Sequence, residues 1–356
     1  MKRRGGAHGI AGAVVLIVVA AVAAIAPLPA SGVERFYSTS FYPLVQRVVT
    51  PASNLVPIAL LDIATGGLLA FLVFRFSRAG GRKQGVRAVG VALLKIIAVV
   101  YLLFLIMWGL NYRRVPLEDK LDFDRTRVTR ERALALAAES VRRANALYQP
   151  AHALAANHGD NRSDLESAMG SALHVLEGRG YPRDGGHLRT GRPKRSLLGY
   201  YFRYAAIDGM TNPLFLEVIV NPDLLPMEQP EVLAHEWAHL AGYADESEAN
   251  FVAWLTCLRG NALAQYSGWL SAYSRAVSVL PRDIRLTLPK LDEGPRQDLN
   301  AIAARYQRSS PVVRRVAQDV YDSYLKANRI EEGIANYDFV LQLMLGTSLG
   351  GEWTPR

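Results

Sequence analysis

The sequence predicts a mainly α-helical chain in two parts, an N-terminal membrane domain over 1–114 and a larger α+β domain with a small sheet over 115–356. Three observations carry that prediction. Apolar runs at about 10–28, 55–74 and 88–110 each have the length of a helix that crosses a bilayer. From Val115 onward the chain reads as amphipathic segments separated by polar, Gly- and Pro-bearing connections, as in a soluble domain. Within that second part, His235 to Asn250 gathers histidines and acids at helical spacing.

The first run follows Lys2, Arg3 and Arg4 and is free of charge from Ile10 to Leu28. It reads as a retained span, the rival being a signal peptide cleaved near Pro29-Ala30-Ser31. Residues 29–54 read as a polar loop whose Phe36, Tyr37, Phe41 and Tyr42 suit a membrane interface. The second run is broken only by Asp62, read as an acid lying shallow or bonded to a neighbouring helix. Arg75, Arg78, Arg82, Lys83 and Arg87 then mark a cytoplasmic connection. The third run carries Lys95, near enough to its basic end to snorkel, and closes on Trp108 and Tyr112. Counting basic clusters places the 29–54 loop and everything after residue 115 outside the cytoplasm.

The formal net charge of +9 sits largely beside these runs, and no nucleic-acid-binding motif accompanies it, so the membrane is the expected partner and nucleic acid is set aside. The single cysteine, Cys257, allows no internal disulfide and reads as a small buried residue in an apolar helix.

In the second part, Thr129–Ala146, capped by Thr129, and Ser163–Glu177 read as helices. Residues 178–195 read as a loop holding a solvent-exposed His187, and His152, His158 and His174 lack ligand spacing. Gly209 to Pro213 reads as a turn. Leu214 to Val220, with Glu217 its only charge, reads as an edge strand able to align an extended peptide. Residues 249–280 read as helical and Pro281–Gly294 as a connection. Arg314–Lys326 and Glu331–Leu345 read as helices, and the last six residues as a tail.

Pro230 suits the first turn of a helix over about 230–241, and Gly242 suits the position just past its end. The helix contains His235-Glu236-Trp237-Ala238-His239, an HExxH pentapeptide. Histidines four apart share a face and can direct two imidazoles at one cation. Glu236 lies about 100° round the helix, where it can reach a metal-bound water without ligating the metal. This arrangement calls for Zn2+ and a third protein ligand. Asp245, Glu246 and Glu248 are on offer. Asp245 and Glu248 fit a capping box at the start of the next helix, which makes Glu246 the first choice and leaves the other two as alternatives. Asn250, one turn beyond Glu246, is expected to hydrogen-bond a ligand from behind. Glu236 is the expected general base, and Tyr324 or Tyr337 the candidate oxyanion donor, each also readable as a core tyrosine.

Several pieces together resemble one family. They are Trp108-Gly109-Leu110-Asn111-Tyr112-Arg113-Arg114 with Pro116-Leu117, the stretch Gly209 to Glu217, the pentapeptide with Glu246-Ser247-Glu248-Ala249-Asn250-Phe251, and Tyr321-Asp322-Ser323-Tyr324-Leu325-Lys326 with Gly333 and Tyr337. In order, they resemble the bacterial membrane proteins labelled domain of unknown function 3810, which look zinc-peptidase-like. Glu246 to Ala253 is also similar to the second-helix signature of glutamate-type zinc peptidases. In part it is similar to membrane prenyl-protein endopeptidases and their heat-shock relatives, whose two motif elements lie farther apart. The resemblance implies a zincin-like α+β domain on three transmembrane helices. It further implies metal chemistry; with the count of basic clusters and the zinc-peptidase arrangement of the pentapeptide, the expectation is a multi-pass zinc metallopeptidase of the bacterial inner membrane, its catalytic domain extracytoplasmic, acting on a peptide or protein substrate. The rival expectation is an inactive protein of the same fold serving as a peptide-binding, structural or sensor module. The intact Glu236 favours the enzyme.

Overall fold

The long apolar stretches near the N-terminus become helices in the computed structural model, which describes residues 4–78, 81–157, 162–178, 188–333, 339–350 and 353–355, with side chains from residue 11. Helix α1 (Arg4–Ile25) is followed by a bend of 109° and a helical stretch, Ala30–Asn54. That stretch comprises α2 (Ala30–Val33), a π-helical segment (Glu34–Phe41) and α3 (Tyr42–Asn54). Then come α4 (Leu60–Ser77) and α5 (Arg82–Met107). Among the described residues α4 and α5 are long and apolar enough to cross a membrane, and the bent pair is a third candidate. Both α1 and α4 pack on α5.

Residues 30–54 are therefore helical, contrary to the expectation of a loop. Pro43, Pro51 and a run of Ser and Thr obscure the pattern, but Tyr42, Gln46, Thr50 and Ser53 recur at helical spacing and are all buried. The basic cluster is also mostly helical: Arg75 lies in α4, and Arg82, Lys83 and Arg87 lie in α5. Asp62 sits in the first turn of α4, accepting from the Ser196 hydroxyl at 2.8 Å and the Leu197 amide at 2.9 Å.

Trp108 ends α5, and a 3-10 turn (Gly109–Arg113) leads out of it. Arg113 Nη2 donates to the carbonyls of Ala23 and Ala24, each at 3.0 Å, and so meets the open C-terminal end of α1. Helices α6 (Arg130–Ala156) and α7 (Arg162–Glu177) follow, with the Thr129 hydroxyl capping α6 as expected.

The sheet comprises β1 (Pro193–Lys194), β2 (Gly209–Asn212) and β3 (Glu217–Val220) in the order β1-β3-β2, with α8 (Leu198–Ala205) inserted after β1. Strand β3 runs parallel to β1 and antiparallel to β2, with Thr211 opposite Val218. Two expectations are corrected here. The segment from Gly209 is a strand before it turns, the turn being set by Asn212 Oδ1 accepting from the amides of Leu214 and Phe215. The strand expected at the edge is the central one. Its Glu217 is wholly buried, pairs with Lys194 at 2.9 Å and accepts from the amides of Leu60 and Leu61.

Helices α9 (Gln229–Leu240), α10 (Glu246–Arg259) and α11 (Ala262–Ser278) form the centre, with α10 buried over nearly its whole length against α7, α9, α11 and α15 (Phe339–Gly346). The stretch 249–280 is thus two helices, broken at Gly260-Asn261, where Asn261 caps α11. Short α12 (Arg282–Arg285), α13 (Glu293–Gln307) and α14 (Pro311–Ala327) complete the body. The connection expected over 281–294 accordingly contains α12, and α13 begins within it. The expected helix 331–345 is described only from Phe339; residues 334–338 lie outside the described part. The expected tail carries Trp353, whose ring lies 5.8 Å from that of Trp254 and 5.1 Å from that of Trp269. One core runs through both halves of the chain, joining Tyr42, Phe104 and Trp108 to Trp237, Phe251 and Trp254.

Candidate metal centre

Pro230 falls at the start of α9, where its missing N–H costs nothing, and the helix ends at Leu240 with Gly242 just beyond at φ 92°. A side chain at Gly242 would also press on Asn111 and Tyr42. Trp237, wholly buried, donates its indole N–H to Gly191 O at 2.9 Å and sets the rotation of the helix. That rotation turns His235 and His239 toward the start of α10.

There the two imidazoles meet Glu246. His235 Nε2 lies 3.1 Å from His239 Nε2 and 3.2 Å from Glu246 Oε2, and His239 Nε2 lies 3.6 Å from Glu246 Oε1. These are the only residues of their kind grouped closely enough to share a cation among the described residues. Donors placed about 2.0–2.1 Å from a tetrahedral zinc are separated by roughly 3.3 Å, so the three spacings match the edges of such a site. His239 Nδ1 lies 2.7 Å from Tyr243 O, an arrangement in which Nδ1–H donates, so that the neutral ring carries its lone pair on Nε2. Glu246 is 3% exposed, and its Oε2 has no hydrogen-bond donor. A buried carboxylate that turns one oxygen to each of two imidazole nitrogens is an acceptor that a cation would satisfy. Burial disfavours charge on His239, but Glu246 outweighs it and the imidazole is pushed up to about 9. Burial likewise pushes Glu246 up, but His239 and His235 outweigh it and hold the carboxyl well below its ordinary value.

Asp245 and Glu248 stand apart from the trio. Asp245 Oδ1 accepts from the amides of Ser247 and Glu248 at 2.9 and 3.1 Å, the cap expected of it. Glu248 does not close a capping box; it accepts from the Leu117 amide instead. Burial first, then the neighbouring Asp245, push its carboxyl up to about 8.

Glu236 is buried on the side of α9 that faces β2. Thr211 Oγ1 donates to Glu236 Oε2 at 2.8 Å, and a Cβ on Gly209 would fall 2.5 Å from Glu236 Oε1. Gly209 and Thr211 together therefore hold this carboxylate. Burial raises its pKa, opposed by the charges of His235 and His239. Neither residue was singled out from the sequence, because the stretch read as a turn; Gly at the strand position nearest the helix is the signal that points to close approach.

Asn250 does not bond a ligand. Its Oδ1 accepts from Arg275 Nη2 at 2.9 Å, and its Nδ2 is buried without a partner. The hydroxyl that reaches the centre belongs to Tyr321, which donates to Glu246 Oε1. Tyr324 stacks on Tyr321 at 5.8 Å, and its hydroxyl lies 3.4 Å from that of Tyr112, one layer behind. Tyr337 lies outside the described residues. On α14, a Tyr three residues before Tyr324 was the available signal for Tyr321.

The N-terminal part of the chain holds the C-terminal end of α9. Trp108 Nε1 donates to His239 O at 2.9 Å, Tyr42 Oη to Leu240 O at 2.8 Å and Arg114 Nη1 to Gly242 O at 3.2 Å. Three carbonyls at and just beyond the helix end are thus satisfied by side chains from, or next to, the apolar segments.

Fold and site together define a mainly helical protein with membrane-crossing candidates and a buried His–His–Glu cluster beside a second glutamate. The chain belongs to the family described as "Protein of unknown function (DUF3810)", which matches residues 37–345. No curated protein and no solved structure matches it.

Proposed function

We propose that the chain is a membrane-anchored zinc metallopeptidase of zincin type, with its catalytic domain on the extracytoplasmic side of a bacterial inner membrane. The observation that carries the reading is the placement of His235, His239 and Glu246 at the edges of a zinc-sized tetrahedron, with Glu236 on the same helix and not among the donors. The basic clusters on the opposite ends of α4 and α5 support the sidedness.

Zinc, when bound, supplies Lewis acidity toward a carbonyl and an attacking water. The chain supplies the rest. Thr211 fixes one oxygen of Glu236, leaving Oε1 as the atom that takes a proton and returns it to the leaving amine. Burial brings that carboxyl closer to the proton-exchange range a base needs. Tyr321 holds Glu246, and Tyr243 O holds His239, so both donors are oriented from behind. Strand β2 offers the slot for an extended substrate. Asn221 N donates to Asp208 O, so by antiparallel alternation Met210 and Asn212 bond to β3, and the main-chain groups of Gly209 and Thr211 point to the free edge.

The test is metal analysis and cleavage of a broad peptide library by the purified full chain beside Glu236→Gln. Zinc at about one per chain is expected in both, with cleavage lowered by roughly 10²–10⁴ by the substitution. A wild type that holds zinc yet cleaves no faster than Glu236→Gln ends the peptidase reading.

A further inference from the structure

The stretch Ala30–Asn54 is built inside out. Its buried stripe is polar: Tyr42 and Gln46 are each 1% exposed, Thr50 is 0% and Ser53 is 1%. These residues recur every three or four positions, and all bond into the second half of the chain. Tyr42 reaches Leu240 O. Gln46 Oε1 accepts from the Arg189 amide at 2.9 Å, Thr50 donates to Leu216 O at 3.1 Å, and Ser53 accepts from Lys194 Nζ at 2.8 Å. The opposite stripe is apolar and bare: Phe41 is 44% exposed, Leu44 59% and Val48 70%, and Leu55, just past the helix, is 84%. In water this polarity is upside down.

Both ends of the stretch are tied to membrane-crossing candidates. Only residues 26–29 separate it from α1, across a bend of 109°, and only 55–59 separate it from α4. The apolar stripe runs on through Leu55 and Ile58 into α4, none of whose crossing window is buried by protein. The ends of α1 and α4 that it joins, and the end of α5, all meet the same body: Arg329 bonds Ala24 and Ala26, Asp62 bonds Ser196 and Leu197, and Trp108 bonds His239. A helix turned through about a right angle at the end of one span, and leading to the same end of another, runs along the membrane surface.

We propose that Ala30–Asn54 lies flat in the headgroup layer on that side of the bilayer, with Phe41, Leu44 and Val48 in the acyl boundary and its polar stripe bonded upward to the folded body. The partner is lipid, because the bare stripe is continuous with the bare surface of α4 and carries no charge. The stretch is thus a surface-bound saddle rather than half of a broken span. Through Tyr42, which bonds one residue past His239, it also sets the height of the His–His–Glu cluster above the lipid. This placement stands independently of what that cluster does.

The test uses the full chain with Val48→Cys carrying a nitrobenzoxadiazole label; Cys257 is wholly buried, so a single thiol reacts. The protein is reconstituted in phosphatidylcholine–phosphatidylglycerol vesicles whose lipids bear nitroxides at the headgroup, the upper chain or the chain end. The reference label is at Gln297→Cys on α13, whose Arg305 pairs with Glu228 at the opposite end of α9. At position 48, blue-shifted emission and several-fold stronger quenching than at 297 are expected, greatest from headgroup and upper-chain nitroxides. Quenching no stronger than at 297, as when water or a second copy of the chain covers the stripe, overturns the proposal. So does maximal quenching from the chain end, which marks a segment buried deep in the bilayer.

Discussion

At the scale of single residues, the division of labour among three neighbouring acids decides which of them could meet a cation. Asp245, Glu246 and Glu248 lie within four positions, yet only Glu246 faces the imidazoles. Replacing Glu246 by Ala is therefore expected to abolish zinc retention, measured by metal analysis after dialysis. Asp245→Ala is expected to keep the metal and to cost about 1 kcal/mol of stability through the lost cap. Metal loss from Asp245→Ala alone would overturn this assignment. Gly209 is the second decisive residue, because any Cβ there meets Glu236. Gly209→Ala is expected to retain zinc and lower turnover by about 10², as expected when a reacting group is displaced by about an ångström. Turnover equal to wild type would show that Glu236 can move aside freely.

At the scale of elements, α9 is held at both of its functional margins by segments distant in sequence. Its C-terminal carbonyls take bonds from Trp108, Tyr42 and Arg114, and its flank takes one from Thr211. Trp108→Phe keeps a six-membered aromatic ring but removes the indole N–H that donates to His239 O, together with the pyrrole half of a buried ring. The expected loss is about 1 kcal/mol in stability and about tenfold in zinc affinity, read by denaturant titration and competition with a chelator. Unchanged affinity would mean that α10 alone positions His239. A second junction lies beside this one, where Arg114 pairs with Glu34 at 2.8 Å and Glu177 at 2.9 Å, and Tyr243 Oη donates to Glu177 at 2.6 Å. Burial pushes the Glu177 carboxyl up, but Arg114 and Lys120 outweigh it and hold it below its ordinary value. A depressed carboxyl contributes stability that is fully present above the unfolded value of about 4.3 and is lost as pH falls through the folded value. Glu177→Gln should therefore flatten the acid side of the stability–pH curve. An identical slope with and without the substitution would show that Glu177 plays no part in it.

At the scale of the whole molecule, the N-terminal part that carries the membrane-crossing candidates and the rest of the chain form one packed unit. Phe104, Trp108 and Tyr42 share a core with Trp237 and Trp254, so a cut at residue 114 removes one wall of it. The fragment 115–356 is expected to aggregate on size-exclusion chromatography and to lose zinc that the full chain retains. A monomeric fragment holding zinc at full affinity would refute that coupling. Much of this organisation was legible beforehand. The apolar runs announce α4 and α5 by length alone, and the pentapeptide with Glu246 announces the cluster, because both signals are local and periodic. The helix over 30–54 was not legible, since its polar stripe faces inward and its apolar stripe outward, the reverse of the pattern that marks a soluble helix. Strand β2 was missed because four residues beginning with Gly carry no strand period. Tyr321 and Thr211 were missed because their partners lie 75 and 25 positions away.

By itself the sequence determined the apolar runs that become α4 and α5 and the His235–Glu236–His239 face, since each follows from residues within a few helical turns of one another. It also narrowed the third donor to three acids and ranked Glu246 first by assigning the other two to a cap. Only the tertiary structure decided which hydroxyl supports Glu246, which strand bears on Glu236, and that Tyr42, Trp108 and Arg114 hold the C-terminal end of α9 from the N-terminal part of the chain. Those relations join segments 25 to 198 positions apart. At such separations a contact is set by packing of the whole core, and no local pattern records it.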